Sequence, residues 1–229
     1  MAEFWLGDSN GPMGDVGAFM DSELRVDRAD LAAHIRQLDG PRNLIAIAGA
    51  PGAGKSHLAA ELAAALNAAT PGSAAVLPMD GFHLSNDVLE TRGLRARKGA
   101  PETFDVAALS ATLSQARAPG ADLRAPGFDR ATDQVIPDAI RIPATARYVL
   151  VEGNYLLLTR PGWRDLFPLF DLTVRLNVPE PVLRVRLLQR WQACPPPGGD
   201  ITAQIEQNDL PNGRILRQEN RAADLVITG

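Results

Sequence analysis

Cysteine is almost absent. Cys194 stands alone in 229 residues, so no disulfide can close within the chain, a usage that suits a reducing compartment. Histidine is nearly as scarce, with three in the chain, and no Cys/His cluster has the spacing of a structural metal site. Basic charge is lacking too: the net charge is −4, which provides no positive field for nucleic acid, and no nucleic-acid partner is expected. Apolar residues make up 45% of the chain, enough for a sizeable core. Their longest runs are strand-sized, so no membrane insertion is expected. The first residues lack a basic stretch followed by an apolar one, so no secretory signal is expected and a cytoplasmic location is. Aromatics are 5% of the residues, and no aromatic run favours stacking on a base.

Glycine, by contrast, is concentrated where it counts. Gly49-Ala50-Pro51-Gly52-Ala53-Gly54-Lys55-Ser56 fits the pattern GxxxxGK[ST], which ordinary residue frequencies would produce in about one chain of this length in a hundred. An apolar run, Leu44 to Ala48, leads into it, and a helical pattern from His57 to Ala69 follows. Strand, glycine-rich turn and helix N-terminus are what the motif needs: backbone N–H groups turn inward around a polyphosphate, and the helix end adds partial positive charge. Lys55 would reach the β- and γ-phosphates, and the Ser56 hydroxyl would ligate Mg²⁺. His57 is counted with this nucleotide-binding set, although on a helix it reads equally as a surface residue.

Strand-like and helix-like segments alternate along the chain, predicting an α/β fold with a mostly parallel sheet covered on both faces. Residues 1–23 show no period and read as a poorly ordered or loosely docked arm; residues 24–229 read as a single domain. A helix is expected over 28–38, capped by Asp27. Strands are expected at 74–79, 123–126, 147–151, 172–177 and 224–228, with helices at 85–91, 106–117, 163–170 and 182–192. Residues 129–143 read as a small excursion or hairpin. In an open α/β sheet ligands bind beyond the carboxyl ends of the strands. Asp80, after Leu77-Pro78-Met79, and Glu152, after Tyr148-Val149-Leu150-Val151, would therefore face the same crevice as the glycine loop. Two such acids suit phosphoryl transfer, one helping to hold Mg²⁺ and the other orienting an attacking hydroxyl. Acids also end strands simply as turn formers.

Met79-Asp80-Gly81-Phe82-His83, Arg92-Gly93-Leu94, Lys98 through Asp105, Phe128-Asp129-Arg130 and Val151-Glu152-Gly153-Asn154-Tyr155 together resemble the P-loop kinase family of uridine kinase, bacterial pantothenate kinase and phosphoribulokinase. The resemblance runs from about Leu44 to Ile227 and is nearest to short bacterial members linked to nucleoside, pantothenate-like or fructose-transport functions. It implies a P-loop three-layer fold with a small acceptor-site excursion and a helical lid at about 180–208. By that resemblance Asp80 is the base or orienting acid, Glu152 sits near Mg²⁺, and lid arginines close over the phosphates.

Arg186 and Arg190, four apart on one helix face, fit that lid role, with Arg184 on a neighbouring face. A solvated helix face is the competing account. Candidate acceptor-site residues are Asp80, His83, Arg92, Lys98, Phe104, Asp129 and Arg130; turn ion pairs, a hydrophobic contact or a solvated basic loop account for several of them as well. The expected activity is ATP- and Mg²⁺-dependent phosphorylation of a hydroxyl on a small polar metabolite, catalysed by Asp80, Lys55, Arg186 and Arg190. An NTP hydrolase and a nucleotide-binding regulatory module of a sugar transporter are the alternatives. A GTPase is disfavoured because no NKxD motif is present. A homodimer stays open as the assembly.

Overall fold

Strand β2 (Asn43–Gly49) is buried along its whole length, and its side chains divide between two cores. Leu44, Ala46 and Ala48 face one hydrophobic cluster, while Ile45 and Ile47 face another. A continuous apolar run forms a strand here because both faces of a parallel sheet are covered. The computed structural model describes residues 23–196 and 198–228. The remaining strands of the main sheet are β1 (Leu24–Arg25), β3 (Ala74–Pro78), β6 (Tyr148–Gly153), β7 (Leu172–Asn177) and β8 (Leu225–Thr228). All six are parallel, in the order β1-β8-β7-β2-β6-β3.

Helices α1 (Leu31–Arg36), α2 (Lys55–Ala69) and α5 (Glu180–Ala193) contribute to the core on one face of the sheet. Helix α4 (Val106–Ala116) and a 3₁₀ segment (Trp163–Leu169) cover the other. The short α3 (Asn86–Thr91) lies between β3 and α4 along the chain. Helix α6 (Ile201–Ala203) runs through a π-helical stretch, Gln204–Asp209, into α7 (Leu210–Glu219). Strands β4 (Leu123–Asp129) and β5 (Gln134–Ile142) pair antiparallel as a separate hairpin. The three-layer α/β expectation therefore holds, with the excursion at 129–143 realised as one arm and the tip of this hairpin. Among the described residues no helix is long and apolar enough to cross a membrane.

Two local expectations need correcting. Helix α1 is shorter than 28–38 and begins after Asp30, whose carbonyl accepts from Ala33 and His34, because residues 28–30 form a turn. Asp27 closes that turn through its own carbonyl, which accepts from the Asp30 N–H at 3.0 Å. Strand β3 stops at Pro78, and Met79–Phe82 winds into a 3₁₀ turn. Residues 1–22 of the expected arm lie outside the described residues, while Glu23 is fixed: its carboxylate pairs with Arg175 and accepts from the Ala223 N–H at 2.9 Å.

One buried side chain ties the hairpin to the sheet. The Arg42 guanidinium, just ahead of β2, donates to the carbonyls of Ala146 (2.8 Å), Ala118 (3.0 Å), Pro143 (2.8 Å), Ala144 (2.9 Å) and, more loosely, Ala116 (3.4 Å). Those carbonyls flank the chain's entry into β4 and its exit from β5. Removing the donors strands buried acceptors, which costs more than the hydrogen bonds themselves contribute. Arg42→Met is expected to lower unfolding free energy by about 3 kcal/mol, measured by urea denaturation with an unchanged m-value.

Candidate active site

The carboxyl ends of β2, β3 and β6 meet at one level. Ala48 pairs with Gly153 and Pro78 with Glu152, so the loop after β2, the turn after β3 and the end of β6 open into one cleft of about 770 Å³. In the loop after β2, Gly52 and Gly54 have φ of +79° and +95°, a left-handed backbone that glycine adopts without strain. Space around Gly54 is open, with nothing within 4 Å of where a Cβ would stand. A Cβ on Gly52 would lie 3.1 Å from Leu187 Cγ, so helix α5 rests directly on the loop.

Lys55 and Ser56 open helix α2. Lys55 is buried and donates to the Ala50 carbonyl at 3.1 Å. Burial pushes its ammonium below the ordinary lysine range, and the Glu152 and Asp80 carboxylates oppose that shift. Ser56 Oγ donates to Glu152 Oε1 at 2.8 Å. Glu152 is pushed up by burial against the pull of Lys55. A hydroxyl beside a carboxylate is a set of hard oxygen donors suited to Mg²⁺, and the open glycine loop with a buried lysine suits a polyphosphate. Among the described residues no cluster of three or more His, Cys, Asp or Glu side chains could hold a metal on its own.

Asp80 sits in the 3₁₀ turn because two glycines let the chain crowd around it. A Cβ on Gly81 would stand 2.1 Å from the Pro126 carbonyl oxygen, and one on Gly153 would stand 2.5 Å from Met79 Cβ. Strands β4 and β6 thus both close on the turn. Arg130, at the hairpin tip, donates to Asp80 Oδ2 at 2.9 Å. Burial raises the Asp80 carboxyl, but Arg130, His83, Lys55 and Arg190 outweigh it and hold the group below its ordinary range. His83 Nδ1 lies 2.7 Å from the Asp80 carbonyl. A carbonyl only accepts, so Nδ1 carries the proton and Nε2 is left as an acceptor. Burial lowers the imidazole below its usual pKa, with Asp80 opposing. The ring lies between Phe104 and Phe128, with centroids at 4.1 and 4.7 Å.

Of the arginines on α5, Arg186 and Arg190 line the cleft. Arg186 reaches the Ala53 carbonyl at 3.4 Å, and the Arg190 guanidinium stacks on Trp191 at 4.7 Å. Arg184 instead pairs with Glu180 and Glu206 outside the cleft. His57 lines the rim and pairs with Glu61 at 3.0 Å. Lys98 and Phe104 line the acceptor end. Two expected acceptor residues do not. Arg92 is exposed on the turn after α3. The Asp129 carboxylate is occupied by its own turn, accepting from Ala131 N at 2.9 Å and Thr132 Oγ1 at 2.8 Å. In compensation the structure adds residues that sequence reasoning missed: Phe128, Asp133, Asn208, Asp209 and Asn212. The last three project from the π-helical stretch and its continuation, where a widened turn breaks the 3.6-residue period that would have flagged them.

No family model matches the chain. Relatives do. The Escherichia coli K12 protein named "Uncharacterized protein YggC" is 36% identical over 193 residues, 81% of this chain and 77% of that one. The Schizosaccharomyces pombe protein named "Putative uridine kinase C227.14" is 38% identical over 194 residues, 81% of this chain and 83% of that one. Among solved structures, the "putative fructose transport system kinase from Silicibacter sp. TM1040" superposes with a TM-score of 0.80 at 42% identity, covering 88% of this chain and 98% of the other.

The tightest steric constraint near Asp80 is testable directly. Gly81→Ala places a methyl group inside the van der Waals envelope of a backbone carbonyl, so β4 must shift. We expect a loss of about 2 kcal/mol or more in thermal or urea unfolding. Gly93→Ala is the control: a Cβ there would meet nothing within 4 Å, but φ is +65°. It should cost only about 1 kcal/mol of backbone strain.

Proposed function

This chain belongs to the P-loop small-molecule kinases, the family of uridine kinase, pantothenate kinase and phosphoribulokinase, and we propose that the cleft transfers the γ-phosphoryl group of ATP to a hydroxyl of a small polar metabolite. The observation that carries this reading is Asp80: a carboxylate held ionised by Arg130, on a turn that opens into the same cleft as Lys55 and the glycine loop. A hydrolase needs only the phosphate half of such a cleft. The aromatic and amide walls beyond Asp80 are extra, and they support an organic acceptor.

In the proposed reaction backbone N–H groups of the glycine loop from Gly52 to Ser56 and the Lys55 ammonium hold the polyphosphate. Ser56 and Glu152 are the residues that would hold Mg²⁺, which supplies charge neutralisation on the phosphate oxygens when bound. Asp80 accepts a hydrogen bond from the acceptor hydroxyl and orients its lone pair in line with the γ-phosphorus. A P–O bond forms to that oxygen, the bond to the β-phosphate oxygen breaks with its electron pair leaving on ADP, and the hydroxyl proton passes to Asp80. The transition state is loose, so a base with a depressed pKa suffices and positioning does most of the work. Arg186 and Arg190 neutralise the transferring group from α5. The segment 180–208 is proposed as the lid, and the Pro/Gly-rich sequence at 195–199 suits hinge motion.

Asp80→Asn should reduce kcat about a hundredfold or more while ATP affinity, read by nucleotide titration, stays within a few fold. Normal turnover in that variant would remove Asp80 from its role. A pH effect follows from His83, which is faced by Asp80, Lys98 and Asp133. Burial holds its pKa below the ordinary histidine range, so Nε2 is an acceptor at neutrality and gains a proton only on acidification beyond that range. Acceptor KM should therefore rise on acidification, with the limb displaced to lower pH than an unperturbed histidine would give, and His83→Phe should flatten it.

A further inference from the structure

The lysines and arginines that line the cleft each donate to a neighbour, with one exception among the described residues. Lys55 donates to the Ala50 carbonyl and Arg130 to Asp80. Lys98 is engaged by Asn86 Oδ1 at 2.7 Å and by Asp133, which also takes Arg95. Arg186 reaches back to the Ala53 carbonyl. Arg190 is the exception. The charges of Arg130, Asp209 and Asp80 act on it without a hydrogen bond, and its guanidinium lies over the Trp191 ring, 4.7 Å from the centroid. A guanidinium held by its face keeps its N–H edge free.

The ring beneath it is itself fixed. Trp191 Nε1 donates to Asp209 Oδ2 at 2.7 Å. Asp209 is buried, and its other oxygen has a long 3.4 Å contact from Gln204 Nε2. Burial pushes the Asp209 carboxyl up, against the pull of the Trp191 N–H and the Arg190 charge. Asp209 closes the π-helical stretch, which is anchored on two sides. On one side Asn208 Nδ2 donates to the Lys98 carbonyl at 2.9 Å, and Asn212 Nδ2 donates to Asn208 Oδ1 at 3.1 Å. On the other, α7 abuts the glycine loop, where a Cβ on Gly213 would lie 3.3 Å from Ala50 Cβ. Asp209 thus belongs to the body that carries the loop. Arg190 and Trp191 ride instead on α5, of whose 14 residues only Leu183 and Leu187 are buried.

We propose that Asp209 is a positioning residue for phosphoryl transfer: it holds the Trp191 indole, and the indole face sets where the Arg190 guanidinium points in the cleft. A carboxylate bound directly to Arg190 would occupy the N–H groups that phosphoryl oxygens need. Holding the guanidinium through an aromatic face leaves them available. The inference rests on the reading of Arg190 as neutralising the transferring group, and adds the device that aims it. A misplacement of about 1 Å can cost about a hundredfold in rate, so a loosened indole is felt in kcat.

The test is a double-mutant cycle on the full chain, read as acceptor-dependent ADP release with Mg·ATP. The acceptor is whichever of fructose, uridine, pantothenate and ribulose 5-phosphate gives the highest rate with the parent protein. Asp209→Ala and Trp191→Phe break the same hydrogen bond from its two ends. Each should lower kcat about tenfold, with KM for ATP within about twofold of the parent value. Asp209→Asn keeps an oxygen for the indole N–H and should recover most of that loss. In an Arg190→Met background, itself slower than the parent, neither substitution should cause a further fall. An equal fall in both backgrounds overturns the proposal, and so does normal kcat in the folded single variants. Parent-like kcat in Arg190→Met overturns it as well, while leaving the kinase reading to stand on Asp80. Release that no acceptor increases overturns both.

Discussion

Parallel pairing forces all strands of the main sheet to end on the same edge, and the register decides at what height. Glu152 stands opposite both Ile47 and Pro78. The glycine loop begins two residues beyond Ile47, and Asp80 lies two residues beyond Pro78. A shift of one residue in either pairing would turn Glu152 into the hydrophobic layers, since side chains alternate between the faces. The cleft is thus a product of registers fixed by Leu44, Ile45, Val149 and Leu150 deep in the two cores.

That geometry concentrates charge in one cleft, with Lys55 and Glu152 buried at its floor and Arg130 exposed at its rim. Lys55, Asp80 and Glu152 act on one another, Arg130 acts on all three, and Arg190 acts on Lys55 and Asp80. Buried ions are tolerated when each has a partner of opposite sign, and here the signs are interleaved: lysine with Ala50 and two carboxylates, aspartate with arginine, glutamate with a serine hydroxyl. Such a site is preorganised for a polyanion, because the cations are already held in place and need little reorganisation to receive one.

Much of this was legible in the sequence because it is written locally. The glycine loop, its strand and its helix occupy contiguous residues, and β6 at Tyr148–Gly153 opens on an unbroken apolar run. Strand β1, by contrast, has two residues and no period to read. The turn holding Asp80 reads as strand because Met79 is apolar; what bends it is the approach of Pro126 and Gly153, which no neighbouring residue announces. Lys98 was visible as a cation, but its saturation by Asp133 depends on a hairpin tip 35 residues away in sequence, where Asp133 itself adopts φ of +55°. Asn208, Asp209 and Asn212 lie in a polar helix, and the π-helical turn rotates them off the face that ordinary spacing would assign.

Arg42 also has a consequence for how such a chain can diversify. One guanidinium grips the carbonyls on either side of the β4–β5 hairpin, and Asp122 closes the same neck by accepting from Arg141 Nε at 2.9 Å and from the Ala144 N–H at 2.7 Å. The segment between residues 122 and 142 is therefore tied off at its base, yet it is not independent of the rest: Ala125 and Ile142 enter the core, Pro126 crowds Gly81, and Arg130 and Asp133 at the tip hold Asp80 and Lys98. A change of length at the tip would be absorbed at the neck, but a change of sequence there would be felt at once by the turn that carries Asp80.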